Sequence, residues 1–150
     1  MIRDLTDEEI NELLHTERYA HLACCLDNKP YVVPTTYAYD GKHIYMYTHN
    51  GRKVDMMRKN PLVCLQVENI VSESVWKSAM VYGTYEELKD ESLVEAINML
   101  KEHTRYRDIY APFNFDTTSK QLYNRGKLIV IFRISMKEMY GRAHDESDEE

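Results

Sequence analysis

The chain has 150 residues, 43% of them apolar, and a formal net charge of -6. That length and composition fit one folded domain with its own core, and the acidic balance excludes general duplex binding, which needs a basic footprint to neutralise phosphates. No stretch approaches the roughly 18 apolar residues of a membrane span, and the start MIRDLTDEEINELL is too acidic for a signal or transit peptide, so a cytoplasmic protein with no nucleic-acid or membrane partner is expected.

In LTDEEINELLHTE, Thr6 stands three residues before Glu9, the spacing of a capping box. Ile10, Leu13 and Leu14 follow at helical period, which predicts a short amphipathic helix. YAHLACCL reads as a strand, DNK as a turn and PYVVPTTYAY as a second strand. Asp40-Gly41 separates that run from KHIYMYTH; both turn residues tolerate positive φ, so the flanking strands are expected to pair antiparallel across it. Pro34 cannot donate a ladder hydrogen bond. It marks an edge or a bulge, where a strand stops pairing and is released to face a ligand.

Beyond Pro61, PLVCLQVE reads as a buried strand, NIVSES as a polar loop, and VWKSAMVYGTYEEL as a longer strand with Trp76, Ser78, Met80 and Tyr82 on one face and a bend at Gly83. Ser92 and Glu95 form a second capping-box spacing, opening a helix with Leu93, Ile97 and Leu100 as its stripe. Residues 104–125 lack clean periodicity and predict a partly ordered loop with short helical turns. KLIVIFRISMKEMYG closes the fold as a strand, and HDESDEE is an acidic tail with little reason to order. The expected organisation is one domain over 1–143 and a disordered tail over 144–150. Cys24, Cys25 and Cys64 follow no metal-binding spacing; they read as buried free thiols, and no metal site is expected. Twelve tyrosines against three phenylalanines suit subunit interfaces and half-open pockets. About six strands with antiparallel hairpins, two peripheral helices and no βαβ alternation predict a small barrel with flanking helices.

The stretch YTHNGRKVDMMRKNP carries four cationic side chains and one carboxylate in this acidic protein. Val54, Met56 and Met57 give it a narrow apolar face, so a helix of about two turns is predicted from near Arg52 to a stop before Asn60-Pro61. Arg58 and Lys59 fall in its last turn, where they complement the macrodipole. Arg52 and Lys53 fall at its positive end, where each cation is unfavourable by roughly 0.3–1 kcal/mol. A phosphate would offset that cost: the Gly51 turn exposes backbone N–H groups, the helix start aims its unpaired donors outward, and Thr48, His49 and Asn50 add donors from the strand end. The competing reading is that both side chains extend into water, where screening makes the penalty negligible.

The run from LACCLDNKPYVVPTTYAYDGKHIYMYTHNGRKVDMMRKNPLVCLQVE to WKSAMVYGTYEEL, with a looser echo in LIVIFRISMKEMYGR, resembles the pyridoxamine 5'-phosphate oxidase-related proteins, in particular their nitroimidazole-resistance branch. The resemblance implies a mainly β fold with flanking helices, a six-stranded antiparallel split β-barrel that binds FMN, and a homodimer with two cofactor sites at the subunit interface. It implies that Val33, Pro34, Thr35 and Thr36 line the flavin ring and that Tyr47, Thr48, Arg52 and Lys53 take the phosphate, with His49 at the same strand end. Trp76 and Ser78 would then approach the ring from the partner. The function implied is an FMN-dependent oxidoreductase acting on a small molecule whose identity the sequence does not give; no general base stands out, as suits chemistry carried by a cofactor. The alternative is a non-enzymatic flavin- or haem-binding barrel, with His21 and His49 the haem ligands to test.

Overall fold

The computed structural model describes residues 1–102 and 114–145. In chain order the elements are β1 (Ile2–Asp4), α1 (Asp7–Thr16), β2 (Tyr19–Leu26), β3 (Lys29–Thr36), β4 (Ala38–Tyr39), β5 (His43–His49) and α2 (Arg52–Lys59). They continue with β6 (Leu62–Ser72), β7 (Val75–Glu87), α3 (Asp90–Glu102), β8 (Asn114–Asp116), β9 (Gln121–Asn124) and β10 (Lys127–His144). The sequence-predicted class holds: six long strands, β2, β3, β5, β6, β7 and β10, form one antiparallel sheet that does not close, with four short strands at its margins. Among the described residues no helix is long and apolar enough to cross a membrane.

Local chemistry sets the turns and the first helix. Thr6 Oγ1 accepts the Glu9 N–H at 3.2 Å while the Thr6 N–H donates to Glu9 Oε1 at 3.2 Å, the reciprocal pair of a capping box. Arg3 bridges Glu9 (2.9 Å) and Asp145 (3.1 Å), and its hydrogen bond, with that of the Thr6 N–H, holds the Glu9 carboxyl down to about 2. The β2–β3 hairpin turns on Asp27 (φ 51°) and Asn28 (φ 62°), both left-handed as a two-residue hairpin loop requires. At the next turn the Asp40 carboxylate accepts the N–H groups of Lys42 (2.8 Å) and His43 (2.7 Å).

Pairing across that second turn is shorter than the sequence suggests. Only Ala38 and Tyr39 pair with β5, while all of β3 pairs with β2. The sheet order is β3-β2-β6-β7-β10-β5-β4, so β3 and β4 lie at opposite ends of the sheet although Tyr37 alone separates them in the chain. The sheet must therefore curl until its two edges meet at Tyr37, whose hydroxyl donates to the Leu14 carbonyl at 2.7 Å in the buried interior. From there the edges part. Pairs Ala38–Tyr45 and Tyr39–Ile44, continued along the same register, would set Thr36 opposite Tyr47, Thr35 opposite Thr48 and Pro34 opposite His49, but the ladder stops at Ala38. This is the split of the barrel, and Pro34 lies on its edge strand.

Three further expectations are corrected. NIVS belongs to β6, because Asn69 and Ile70 pair with Lys77 and Trp76 of β7. The α3 helix begins at Asp90, two residues before the Ser92 cap, and the Ser92 hydroxyl donates to the Lys89 carbonyl instead. Within 104–125, Asn114–Asp116 and Gln121–Asn124 are strands paired to each other, with β9 also on β10; residues 104–113 lie outside the described residues. At the chain end β10 runs to His144 and Asp145 is tied to Arg3; the remaining tail residues, 146–150, also lie outside the description. At Gly83 β7 runs on without a break, opposite a bulge between Met136 and Glu138 in β10. A Cβ there would meet the Ser135 carbonyl oxygen and Ile134 Cγ2, each at 2.5 Å.

Two apolar clusters share β5. Ile44 and Met46 face the barrel interior with Leu22, Leu65, Val81 and Ile134, closed by Ile10, Leu13 and Leu14 of α1 and by Met56 and Met57 of α2. Tyr45 and Tyr47 face the other way, onto Leu93, Ala96 and Leu100 of α3, where Leu122, Ile129 and Ile131 complete the packing. The stripe expected of α3 is thus its packing face.

The C-terminal turn of α2 is tied to β7 by Arg58, which bonds Glu87, while the Tyr85 hydroxyl donates to the same carboxylate at 2.7 Å. Burial works to raise the Glu87 carboxyl, but the hydrogen bonds from Arg58 and Tyr85 outweigh it and hold it below its ordinary value. Its contribution is therefore present above the unfolded value of about 4.3 and is lost as the pH falls through the lower folded one. Glu87→Gln is expected to cost about 1 kcal/mol at neutral pH. Urea melts of variant and wild type should converge in acid; a difference independent of pH would refute the pairing.

Candidate functional site

The site is built where β3, β5 and α2 meet the split. The α2 helix opens at Arg52, as the sequence predicts, and Gly51 at its N-cap provides no side-chain hydrogen bond. Gly51 is extended (φ 180°), and a Cβ built on it would meet only the His49 carbonyl oxygen, at 4.0 Å. Neither strain nor space within this chain calls for glycine there. What glycine does is leave the first N–H groups of the helix uncovered, with the positive end of the dipole open to an anion.

The two cations have no counterion among the described residues. Among the described residues neither Arg52 nor Lys53 has a carboxylate within salt-bridge distance, whereas Arg58 at the other end of the helix engages both Asp55 and Glu87. Lys53 is half-buried beside Cys24; burial pushes its ammonium below the ordinary value, with the Cys24 thiol opposing, while burial raises that thiol. A desolvated, unpaired ammonium at a helix N-terminus is an electrostatic cost that an anionic ligand would remove. Arg52 projects over the Tyr31 ring at 5.9 Å, at the outer limit of a cation–π contact, and so hangs above β3. Tyr31 was missed by the sequence reading; strand alternation, which sets it on the face of Val33 and Thr35, was the available signal.

Alternation also separates residues that the resemblance grouped together. In the β2–β3 ladder Tyr31, Val33 and Thr35 pair with Cys24, Leu22 and Ala20, whose side chains are buried, so these three point inward, Tyr31 of them beneath Arg52. Pro34 and Thr36 pair with exposed His21 and Tyr19 and point outward. On β5, Thr48 is buried on the inner face at 8% exposure, its hydroxyl donating to the His49 carbonyl at 3.2 Å. Tyr47 lies on the opposite face, against α3, and His49 is exposed at the strand end. The structure therefore brings Val33, Thr35, Arg52 and Lys53 to one side of β3, sets Pro34 and Thr36 on its other side, and does not bring Tyr47 to the face of Thr48.

The outer face carries Trp76 and Ser78. Across β3, β2, β6, β7 and β10 the register aligns Pro34, His21, Gln66, Met80 and Tyr140 in one row and Val32, Ala23, Cys64, Tyr82 and Glu138 in the next. Ser78 bonds Gln66 Nε2 at 2.9 Å, and the Trp76 ring lies over that of His144 with centroids 6.4 Å apart. Val32 (64%), Tyr140 (56%), Met80 and Tyr82 (37% each) leave a broad, mostly apolar face open. The three cysteines are free, Cys24 buried and the other two half-buried.

An antiparallel barrel left open along one seam, with an uncovered cationic helix start beside the opening, is the split-barrel class. The family model for pyridoxamine 5'-phosphate oxidase matches residues 6–143. An uncharacterized protein of Rhizobium meliloti (strain 1021) is 32% identical over 147 residues, covering 95% of each chain. In crystal structures, a FAD-binding protein from Mesorhizobium loti superimposes with a TM-score of 0.74 at 33% identity, over 97% of this chain and 99% of that one. A 5-nitroimidazole antibiotic resistance protein from Bacteroides thetaiotaomicron shares the fold with a TM-score of 0.72 at 17% identity, over 95% and 87%. The chain belongs to the pyridoxamine 5'-phosphate oxidase family.

Proposed function

We propose that this protein is a cytoplasmic FMN-binding flavoprotein, a homodimer that acts as an oxidoreductase on a small molecule at the dimer interface. The observation that carries the reading is the split itself. The edge of β3 and the end of β5 part beside an uncapped helix start whose two cations have no counterion among the described residues. Thr48, Arg52 and Lys53 would hold the phosphate, the inward side of β3 would follow the ribityl chain, and the ring would lie along Pro34 to Thr36. The flavin, when bound, supplies the redox chemistry; the chain's own task is to orient it and exclude water around it. The FAD-binding neighbour fits this cradle, because FAD contains the ribityl phosphate of FMN. A second copy would cover the outer face, since an apolar surface of this breadth is rarely left to water, and would bring its Trp76 and Ser78 to the site.

The direct test is titration of cofactor-free protein with FMN, followed by quenching of flavin fluorescence. Saturable quenching at one FMN per chain is expected. Unquenched fluorescence at high protein concentration would sink the reading.

A further inference from the structure

One polar array interrupts the apolar outer face. His21 Nδ1 lies 3.1 Å from Gln66 Oε1, while Gln66 Nε2 donates to Glu68 Oε2 at 3.0 Å and to Ser78 Oγ at 2.9 Å. The roles follow from chemistry. A carboxylate only accepts, so the Gln66 atom facing Glu68 must be the amide nitrogen, and the atom facing His21 must be the carbonyl oxygen. That oxygen only accepts too. The neutral His21 ring therefore carries its proton on Nδ1, and Nε2 is left as a bare acceptor. The two ring nitrogens point to nearly opposite sides, so a ring engaged toward β6 through Nδ1 turns Nε2 away from β6. Among the described residues Nε2 has no hydrogen-bond partner, and the cross-strand neighbour of His21 on its far side is Pro34, at the edge of the split.

Tyr31, below Arg52, lies on the inward face of β3, and Pro34, beside His21, lies three residues on and on its outward face, so a ligand that reaches from Arg52 to His21 passes over this edge strand at the split. Oxidised isoalloxazine has one N–H donor, at N3 of its imide. We infer that His21 Nε2 accepts a hydrogen bond from the flavin imide N3–H, with Gln66 as the positioning residue that fixes the accepting tautomer. The inference rests on the flavin reading above and names the chain's contact to the ring's imide edge.

The test compares FMN with 3-methyl-FMN, which lacks the donor, and reads the imidazole nitrogens of FMN-loaded protein by NMR. Wild type should bind FMN about 3- to 10-fold more tightly than the methylated analogue, and His21→Phe should erase that preference by weakening FMN alone. The His21 ring should show the Nδ1–H tautomer in FMN-loaded wild type, and in cofactor-free protein Gln66→Leu should release it toward the Nε2–H form that imidazole favours in water. Equal affinity for the two flavins, a preference that survives His21→Phe, or an Nε2–H tautomer in wild type would each overturn the inference while leaving flavin binding intact. Failure to bind either flavin would overturn the parent reading with it.

Discussion

The Arg52→Glu/Lys53→Glu variant is expected to lose about 100-fold or more in FMN affinity while melting no lower than wild type. Two charge-assisted contacts to a phosphate are worth about 1.5–3 kcal/mol each, and the introduced carboxylates add repulsion. Stability moves the other way. Replacing a cation by a carboxylate in the first turn of a helix removes an unfavourable dipole interaction and adds a favourable one, each about 0.3–1 kcal/mol. The loss of the Arg52 contact with Tyr31 and of burial for the Lys53 stem offsets part of this gain. The mirror variant, Arg58→Glu/Lys59→Glu, serves as control: it breaks the Arg58–Glu87 pair and opposes the dipole, so it should melt lower and still bind FMN. Fluorescence titration and thermal melts on the same preparations read both quantities. Full FMN affinity in the first variant would show that Arg52 and Lys53 hold no phosphate.

Tyr82→Glu is expected to convert the proposed dimer to monomer over the concentrations reachable by analytical ultracentrifugation. Tyr82 lies on the open sheet face, its ring edge-on to Tyr140 at 6.3 Å, and its cross-strand partner is Glu138. In a two-fold interface each substitution acts twice, and each copy would seat an unpaired carboxylate next to an existing one. An uncompensated buried charge costs several kcal/mol, so the dissociation constant should rise roughly a thousandfold. The fold itself should survive, because Tyr82 is 37% exposed in the isolated chain and its neighbours Val81 and Gly83 supply the inward side. FMN affinity should fall alongside dimerisation if the partner's strand completes the site. A wild-type protein that sediments as monomer at every concentration would refute the interface.

What could be read in advance was whatever depends on near neighbours in the chain. The Thr6–Glu9 box, the Asn28 turn, the Asp40 turn and the start of α2 at Arg52 each follow from side-chain chemistry within a few residues. What could not be read was partner choice. Asp40-Gly41 does make a turn, yet β3 pairs with β2, since a two-residue hairpin at Asp27-Asn28 closes a long ladder while burial of Tyr37 diverts the chain to the far edge of the sheet. Likewise Ile70 is drawn into β6 by its pairing with Trp76, and the short strands β8 and β9 are held by each other and by the start of β10. The start of α2 beneath its two cations was legible as local structure, whereas the residues that the resemblance grouped along the strands are divided between two faces. Four consecutive residues, Val33 to Thr36, cannot share one face of a strand, nor can Tyr47 and Thr48. The array of His21, Gln66 and Ser78 becomes visible only once β2, β6 and β7 are known to be adjacent.

The claim beneath all of this is that the cationic start of α2 exists to receive a phosphate, and its most direct measurement sets FMN against riboflavin. The two share ring and ribityl chain and differ by the phosphate alone. Wild type should bind FMN at least about 100-fold more tightly than riboflavin, and that ratio should collapse toward unity in Arg52→Glu/Lys53→Glu. Equal affinities in the wild type, or a ratio untouched by the substitutions, would contradict the account.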